Sequence, residues 1–205
     1  MPAHPLATPL RVLFDAGPLQ ACELVAADVP ALQAFFDENP AYFIAVNGQP
    51  AGPQDAQLEF DELPPAGMPF RQRWVMGFVD RAGRLQGMAH VLGDFLATGV
   101  WHVGLFIVAT PRHGDGSARS IYSALEGWMA DNGARWVRLG AVLGNARAER
   151  FWERCGYTEL RQRHGVSTGV LTHTIRVFAK PLADGLQVAD YLALVPRDQP
   201  DSPLP

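Results

Sequence analysis

Residues Phe106-Ile107-Val108-Ala109-Thr110-Pro111-Arg112-His113-Gly114-Asp115-Gly116-Ser117-Ala118 pass from an apolar strand through a glycine turn into a helix start. That arrangement can hold phosphate. Glycine admits a ligand close to the main chain, and the unpaired N–H groups of a helix N-terminus, carrying about half a positive charge, receive phosphate oxygens. Arg112, His113 and Arg119 add side-chain donors. A plain strand-to-helix connection would use the same residues, so the turn does not decide by itself. A P-loop needs Gly-Lys-Ser/Thr, and the only lysine is Lys180, which also leaves little room for Schiff-base chemistry. A dinucleotide fingerprint needs G-x-G-x-x-G and an acid about 20 residues on. Here Arg119 takes the third glycine's place and residues 135–140 contain no acid.

The elements around the turn follow from periodicity. Cys22 to Ala26 reads as a first strand; Asp28 caps a helix with Pro30 in its first turn and Leu32, Phe35 and Phe36 as its apolar stripe, ended by Asn39-Pro40. Gln54 to Leu63 reads as an acidic helix stopped by Pro64-Pro65. Strands at Arg73 to Asp80, Leu85 to Asp94 and Val100 to Ala109 form an antiparallel meander. Ser117 to Asn132 carries Ala118, Ile121, Tyr122, Leu125, Trp128 and Met129 on one face and closes at Asn132-Gly133, a long amphipathic helix. Arg135 to Gly140 is a strand, Asn145 to Arg154 a helix ended by Gly156, and Tyr157 to Gln162 and Val170 to Lys180 close the sheet. The sum is α+β: a mixed, mainly antiparallel sheet with helices packed on it.

Composition bounds the rest. A chain of 205 residues and 22.4 kDa, 48% hydrophobic and 19% charged, forms one domain. At this length folding hides roughly 70% of the unfolded surface, so neither a disulfide nor a metal is needed. Cys22 and Cys155 are too few and too far apart for a disulfide framework or a zinc site, and buried thiols in a reducing cytoplasm are expected. No run reaches the roughly 18 apolar residues of a membrane span, and Met1 to Leu10 has no apolar signal region. Residues 1–10 and Pro196–Pro205 read as loosely ordered, proline-rich tails, with the domain over 11–182 and a C-terminal extension over 183–205. The net charge is −4, yet residues 1–70 hold nine acids against Arg11 alone, whereas residues 112–176 hold ten arginines against six acids. Genome base composition accounts for the arginines equally well; otherwise, the C-terminal half handles something anionic.

The segment His113-Gly114-Asp115-Gly116-Ser117-Ala118 resembles the acetyl-CoA pyrophosphate loop of the GNAT superfamily of acyl-CoA N-acyltransferases, Q/R-x-x-G-x-G/A. Downstream, Asn145-Ala146-Arg147-Ala148-Glu149-Arg150-Phe151-Trp152-Glu153-Arg154-Cys155-Gly156-Tyr157 is similar to the family's N-x-x-A-x-x-F-Y-x-x-x-G-F segment. The order of elements agrees too, so the resemblance covers about residues 20–180. It implies a GNAT-like sheet with helices on both faces and a splayed pair of strands, 100–109 and 135–140, that holds CoA. The backbone of Ile107 and Val108 would pair with pantetheine amides, and the turn from Arg112 and His113 to Ala118 would hold the pyrophosphate. Asn145 and Trp152 would flank the thiol end. Acetyl-CoA is then the cosubstrate, with no metal, no nucleic acid and no membrane among the partners; a homodimer is the family's prior. Three departures stand out: His113 takes the loop position where the family has Gln or Arg, Asp115 brings a negative charge to the turn, and Trp152 replaces the tyrosine that protonates the leaving thiolate in many relatives, although an indole N–H is no usable acid.

Acetyl transfer needs a neutral amine, a donor for the carbonyl oxyanion and a proton for the thiolate. A backbone N–H near Val108 would serve the oxyanion, as the resemblance implies. His102, on the strand face shared with Gly104, Phe106 and Val108, stands six residues before Val108, where histone acetyltransferases of this superfamily place a glutamate base, and an unperturbed pKa of about 6.5 suits the work. Asp94 and His90, alternating onto one face of the neighbouring strand, are weaker candidates, and an acyl-Cys155 route lacks any activating neighbour. Trp74, Trp101 and Trp152 either shape an acceptor pocket or fill the core. Glu59, Asp61 and Glu62 either form a solvated helix face or line an acceptor entrance that favours a cationic amine. The expectation is an N-acetyltransferase acting on a primary amine by direct attack; the alternative is a non-catalytic acyl-CoA-binding module of the same fold.

Overall fold

The computed structural model describes Leu6 and residues 9–204. Eight strands form one sheet: β1 (Arg11–Ala16), β2 (Leu19–Glu23), β3 (Gln72–Val79), β4 (Leu85–Gly93), β5 (Val100–Val108), β6 (Trp136–Val142), β7 (Thr158–Thr168) and β8 (Leu171–Pro181). Their spatial order is β1-β2-β3-β4-β5-β6-β8-β7. Every neighbouring pair is antiparallel except β5 and β6, which run parallel because the helix α4 (Ser117–Asp131) returns the chain between them.

The strands alternate their side chains between two cores. On one face, Ala89, Val91, Val137 and Leu139 meet Ile121, Tyr122, Leu125 and Met129 of α4 and Trp152 of α5 (Ala146–Arg154). On the other, Cys22, Met88, Leu105 and Ile107 meet Leu32, Phe35 and Phe36 of α1 (Val29–Glu38), Phe43 of α2 (Pro40–Asn47) and Ala56 of α3 (Asp55–Asp61). Each large side chain buried this fully contributes about 1.5–3 kcal/mol, which fixes the strand register. A third cluster continues the second face: Val100 and Trp136 are covered by Tyr191 and Val195 from α6 (Val188–Leu194) and the residue after it. Helices on both faces of a mainly antiparallel sheet match the sequence reading, and both cysteines are buried and free.

Four elements differ from expectation, each for a physical reason. The first strand expected is displaced to Leu19–Glu23 and preceded by β1, with which it forms a hairpin at the sheet edge. Pro40 ends α1 but also opens α2, since its missing N–H is one the first turn would leave unpaired. Asn39 holds that junction, its Nδ2 donating to Phe35 O at 2.7 Å while its Oδ1 accepts from Thr110 N at 2.7 Å. Helix α6 went unpredicted. Residues 196–198, expected in a loose tail, form a 3-10 turn that buries Asp198 at 1% exposure. Of the expected N-terminal tail, Leu6 packs into the second core, and residues 1–5, 7 and 8 lie outside the described residues.

Candidate active site

The β5–β6 ladder is short. It starts at Val100↔Trp136 and stops at Val103↔Leu139, so Gly104–Val108 and Gly140–Val142 run on without pairing to one another. A bulge sits where they part: His90 pairs with Leu105 and Val91 with Val103, which leaves Gly104 as the extra residue. The bulge reverses the alternation. Trp101 and Val103 face α4, as do Phe106 and Val108 beyond it, while Leu105 and Ile107 face α1. Ile107 and Val108 thus lie on the stretch of β5 that β4 pairs on one side and β6 leaves open on the other.

At the mouth of this gap lies the glycine turn. Gly114 and Gly116 have φ of +89° with no atom within 4 Å of a built Cβ, so the turn is open and left-handed, and Gly116 is the N-cap of α4. Asp115 is exposed but hydrogen-bonded within the turn. Its Oδ1 accepts from Ser117 N at 2.8 Å and its Oδ2 from Ser117 Oγ at 2.9 Å, hydrogen bonds that hold the carboxyl below its ordinary value. His113 turns inward, its Nε2 meeting Val108 O at 2.7 Å; partial burial lowers its pKa against that hydrogen bond, and the charge of Arg147 lowers it further. Arg147 thus joins the turn from α5, a neighbour that sequence spacing did not reveal. Arg112 leans the other way, its Nε donating to Gln86 Oε1 at 2.8 Å. Ala118 packs against the first core.

Helix α5 flanks the gap. Asn145 caps it, accepting from Ala148 N at 3.2 Å. Trp152 is buried, its ring 4.9 Å from that of Tyr122 and 6.1 Å from that of Phe106. Burial pushes the Cys155 thiol up to about 11, which removes it as a nucleophile near neutrality. Trp74 and Trp101 stack at 5.0 Å and both meet Trp128, so they pack with the first core on the α4 side.

Two expectations about acid–base residues are corrected. His102 does not share a face with Phe106 and Val108, because the bulge at Gly104 intervenes. It faces the α1–α3 side, stacked on Phe95 at 4.8 Å with Nδ1 3.1 Å from Arg138 O. Burial and the Arg138 guanidinium hold it down to about 3, too weak a base for an ammonium and far from a titration near neutrality. Asp94 lies beyond the end of β4 with φ of +50°; its Oδ1 accepts from Gly99 N at 2.7 Å and its Oδ2 is 3.7 Å from Arg71 Nη1, so it shapes the turn to β5.

What the fold gathers instead is a set the sequence offered only piecemeal. His90, buried on β4, has Nδ1 2.8 Å from Glu59 Oε1 on α3. Ligand atoms of Glu59, Glu62 and His90 lie within 4.8 Å of one another. Burial of its carboxyl end and the charge of Glu59 raise Glu62 above the ordinary carboxylate value despite the opposing effect of His90. The Tyr42 phenol beside them is raised by burial and by both glutamates. Tyr42 reaches the cluster from α2, a helix that no periodicity in residues 40–47 announces.

The sequence of residues 29–157 matches the model of the Acetyltransferase (GNAT) family. No curated protein matches the sequence. Among solved structures, a GCN5-related N-acetyltransferase from Kribbella flavida aligns with a TM-score of 0.58 at 19% identity, over 80% of this chain and 98% of that one. Spermidine N-acetyltransferase from Vibrio cholerae, in complex with CoA and spermine, aligns at 0.60 and 14%, over 80% and 95%. The ribosomal-protein-S18-alanine N-acetyltransferase from Escherichia coli aligns at 0.58 and 14%, over 82% and 99%. At such identities the likeness is one of fold. The family match spans the splayed strands, the glycine turn and the capped helix beside them, and on that ground the chain belongs to the GNAT acetyltransferase family.

Proposed function

We propose that the protein transfers an acetyl group from acetyl-CoA to a primary amine by direct attack in a ternary complex. The observation that carries this reading is the β5–β6 gap opening at the Gly104 bulge, with the glycine turn and the start of α4 at its mouth. Ile107 and Val108 offer peptide groups to the pantetheine amides. His113 to Ala118, with Arg112 and Arg147 nearby, receive the pyrophosphate. A backbone N–H of the unpaired β5 segment stabilises the oxyanion, since a fixed donor in a site closed to water needs no reorganisation as charge develops. Asn145 and Trp152 border the thiol end. Structural neighbours include a spermidine acetyltransferase bound to CoA and spermine, which supports CoA as the donor and a cationic acceptor. Two buried, unpaired thiols suit a reducing compartment such as the cytoplasm.

Purified protein, acetyl-CoA and a panel of alkylamines, polyamines and peptide N-termini test the reading through release of free thiol. Release that depends on an amine supports it. Trp152 favours a second reading, a CoA-binding module without turnover, because no tyrosine stands at that position to protonate the thiolate. Binding of acetyl-CoA without thiol release from any acceptor selects that reading. No rise in melting temperature with either acetyl-CoA or CoA removes both.

A further inference from the structure

We infer that Glu59, Glu62 and His90 form the subsite that holds the acceptor's alkylammonium and takes its proton, an assignment that rests on the transferase reading above. Three observations carry it. First, two carboxylates and an imidazole converge within 4.8 Å, yet neither glutamate has an arginine or lysine within ion-pair distance among the described residues. Their charge calls for a cation. Second, the His90 side chain is only 6% exposed, and while Nδ1 meets Glu59, Nε2 is enclosed with no hydrogen-bond partner. A buried imidazole nitrogen is normally satisfied, so an unpartnered one sets His90 apart from an ordinary core histidine. Third, the cluster stands level with the gap: His90 pairs with Leu105, the residue next to Gly104, on the face that α3 covers.

The proton balance is simple. The alkylammonium gives one proton to a Glu62 carboxylate oxygen, and the neutral nitrogen attacks the thioester carbonyl. The N–C bond forms, the C–S bond breaks, and the second nitrogen proton leaves with the thiolate as CoA thiol. Glu62 then returns its proton to water. The raised affinity of Glu62 for a proton suits it to this step. Glu59 shares the ammonium, and His90 is a positioning residue that steers Glu59 through Nδ1.

Spermidine serves as the probe, by calorimetric titration and by thiol release, with hydroxylamine as a nucleophile that is neutral near pH 7. Glu62→Gln and Glu59→Gln should each weaken spermidine binding about tenfold or more, since each removes a charged hydrogen-bond acceptor, while CoA affinity stays within about twofold. Turnover with hydroxylamine should likewise stay within about twofold, whereas kcat/KM for spermidine falls about tenfold or more. His90→Asn, which keeps a donor where Nδ1 stands, should retain spermidine turnover that His90→Leu loses. Glu62 is exposed, so its variant reports on the site even where the buried His90 variants fail to fold. Unchanged spermidine binding in Glu62→Gln, equal loss with both nucleophiles, or one equivalent of zinc held by the cluster in the purified protein would overturn the assignment. If spermidine binds through these carboxylates but no amine releases thiol, the subsite stands and the transferase reading falls. If amines release thiol and the glutamate variants match the wild type, the reverse holds.

Discussion

Two carboxylates show how context sets the role of a residue. Asp115 sits in the glycine turn, where its charge would repel a bound pyrophosphate, but both its oxygens accept from Ser117. Asn at this position can still accept from Ser117 N, so Asp115→Asn should keep that hydrogen bond, remove the charge and raise CoA affinity several-fold, an effect that titration at low salt will resolve and that high salt should diminish. Asp198 is the opposite case. Arg138 Nε donates to Asp198 Oδ2 at 2.7 Å, Nη2 to Oδ1 at 3.0 Å, and Tyr191 Oη to Oδ2 at 2.6 Å, all buried. Burial alone would raise Asp198; these donors and the guanidinium charge take it below 3.8 instead. Because the folded-state value is depressed, the pair's contribution is complete above the unfolded value of 3.8 and disappears as pH falls through the lower folded value. Asp198→Asn should cost about 3–5 kcal/mol at neutral pH, because it strands a buried charge. Denaturant melts should find it, and the variant's stability should fall less steeply than the wild type's below pH 3.8.

At the scale of elements, the hairpin of β7 and β8 reaches across to α2. Val170 N donates to Asn47 O at 3.1 Å, while Thr168 Oγ1 and His173 Nε2 each meet Val46 O at 2.7 Å, so the hairpin tip satisfies carbonyls at the C-terminal end of α2. Gly169 makes this possible. Its φ is +55°, and a Cβ there would lie 2.6 Å from the Asn47 main chain. Gly169→Ala should therefore detach the tip and cost about 1–3 kcal/mol. Faster amide exchange at Val170 with unchanged exchange in α4 would show the loss to be local. The contact ties α2, which presents Tyr42 to the glutamate cluster, to the strand paired with β6. Loosening it should raise KM for the amine more than it changes CoA affinity.

For the whole molecule, the charge asymmetry has a structural counterpart. The glycine turn with Arg112 and Arg147 lies at one end of the β5–β6 gap, and Glu59 of α3 with Glu62 just after it lies on the face opposite α4. A polyanionic donor and a cationic acceptor would then meet at the bulge from different directions. The C-terminal extension belongs to the same body, since α6 and the turn after it cover Trp136 and pair Arg138. Removal of residues 188–205 should lower Tm by roughly ten degrees or more, given about 3–5 kcal/mol for the stranded Arg138 alone and 2–4 °C per kcal/mol in a chain of this size. Acetyl-CoA at 100 times its Kd should act in the other direction, adding about 2.7 kcal/mol.

Much of this protein was legible in sequence because local physics writes it there. The 3.6-residue stripe of Ile121, Tyr122, Leu125 and Met129, the alternation in β3 and β4, the glycines before α4 and the Asn145 cap each depend on residues within a few positions of one another. Helix α2 stayed hidden because a proline both ends and begins helices, and the buried turn at 196–198 because its partner lies 60 residues away. Only the tertiary structure decides which side chains stand near one another and in what surroundings. One extra residue at Gly104 reverses which face the side chains after it present, and burial, with the Arg138 guanidinium that Asp198 fixes, takes His102 out of its useful range. The Glu59–His90 contact spans 31 residues and joins a helix to a strand, so no spacing rule along the chain could have announced it.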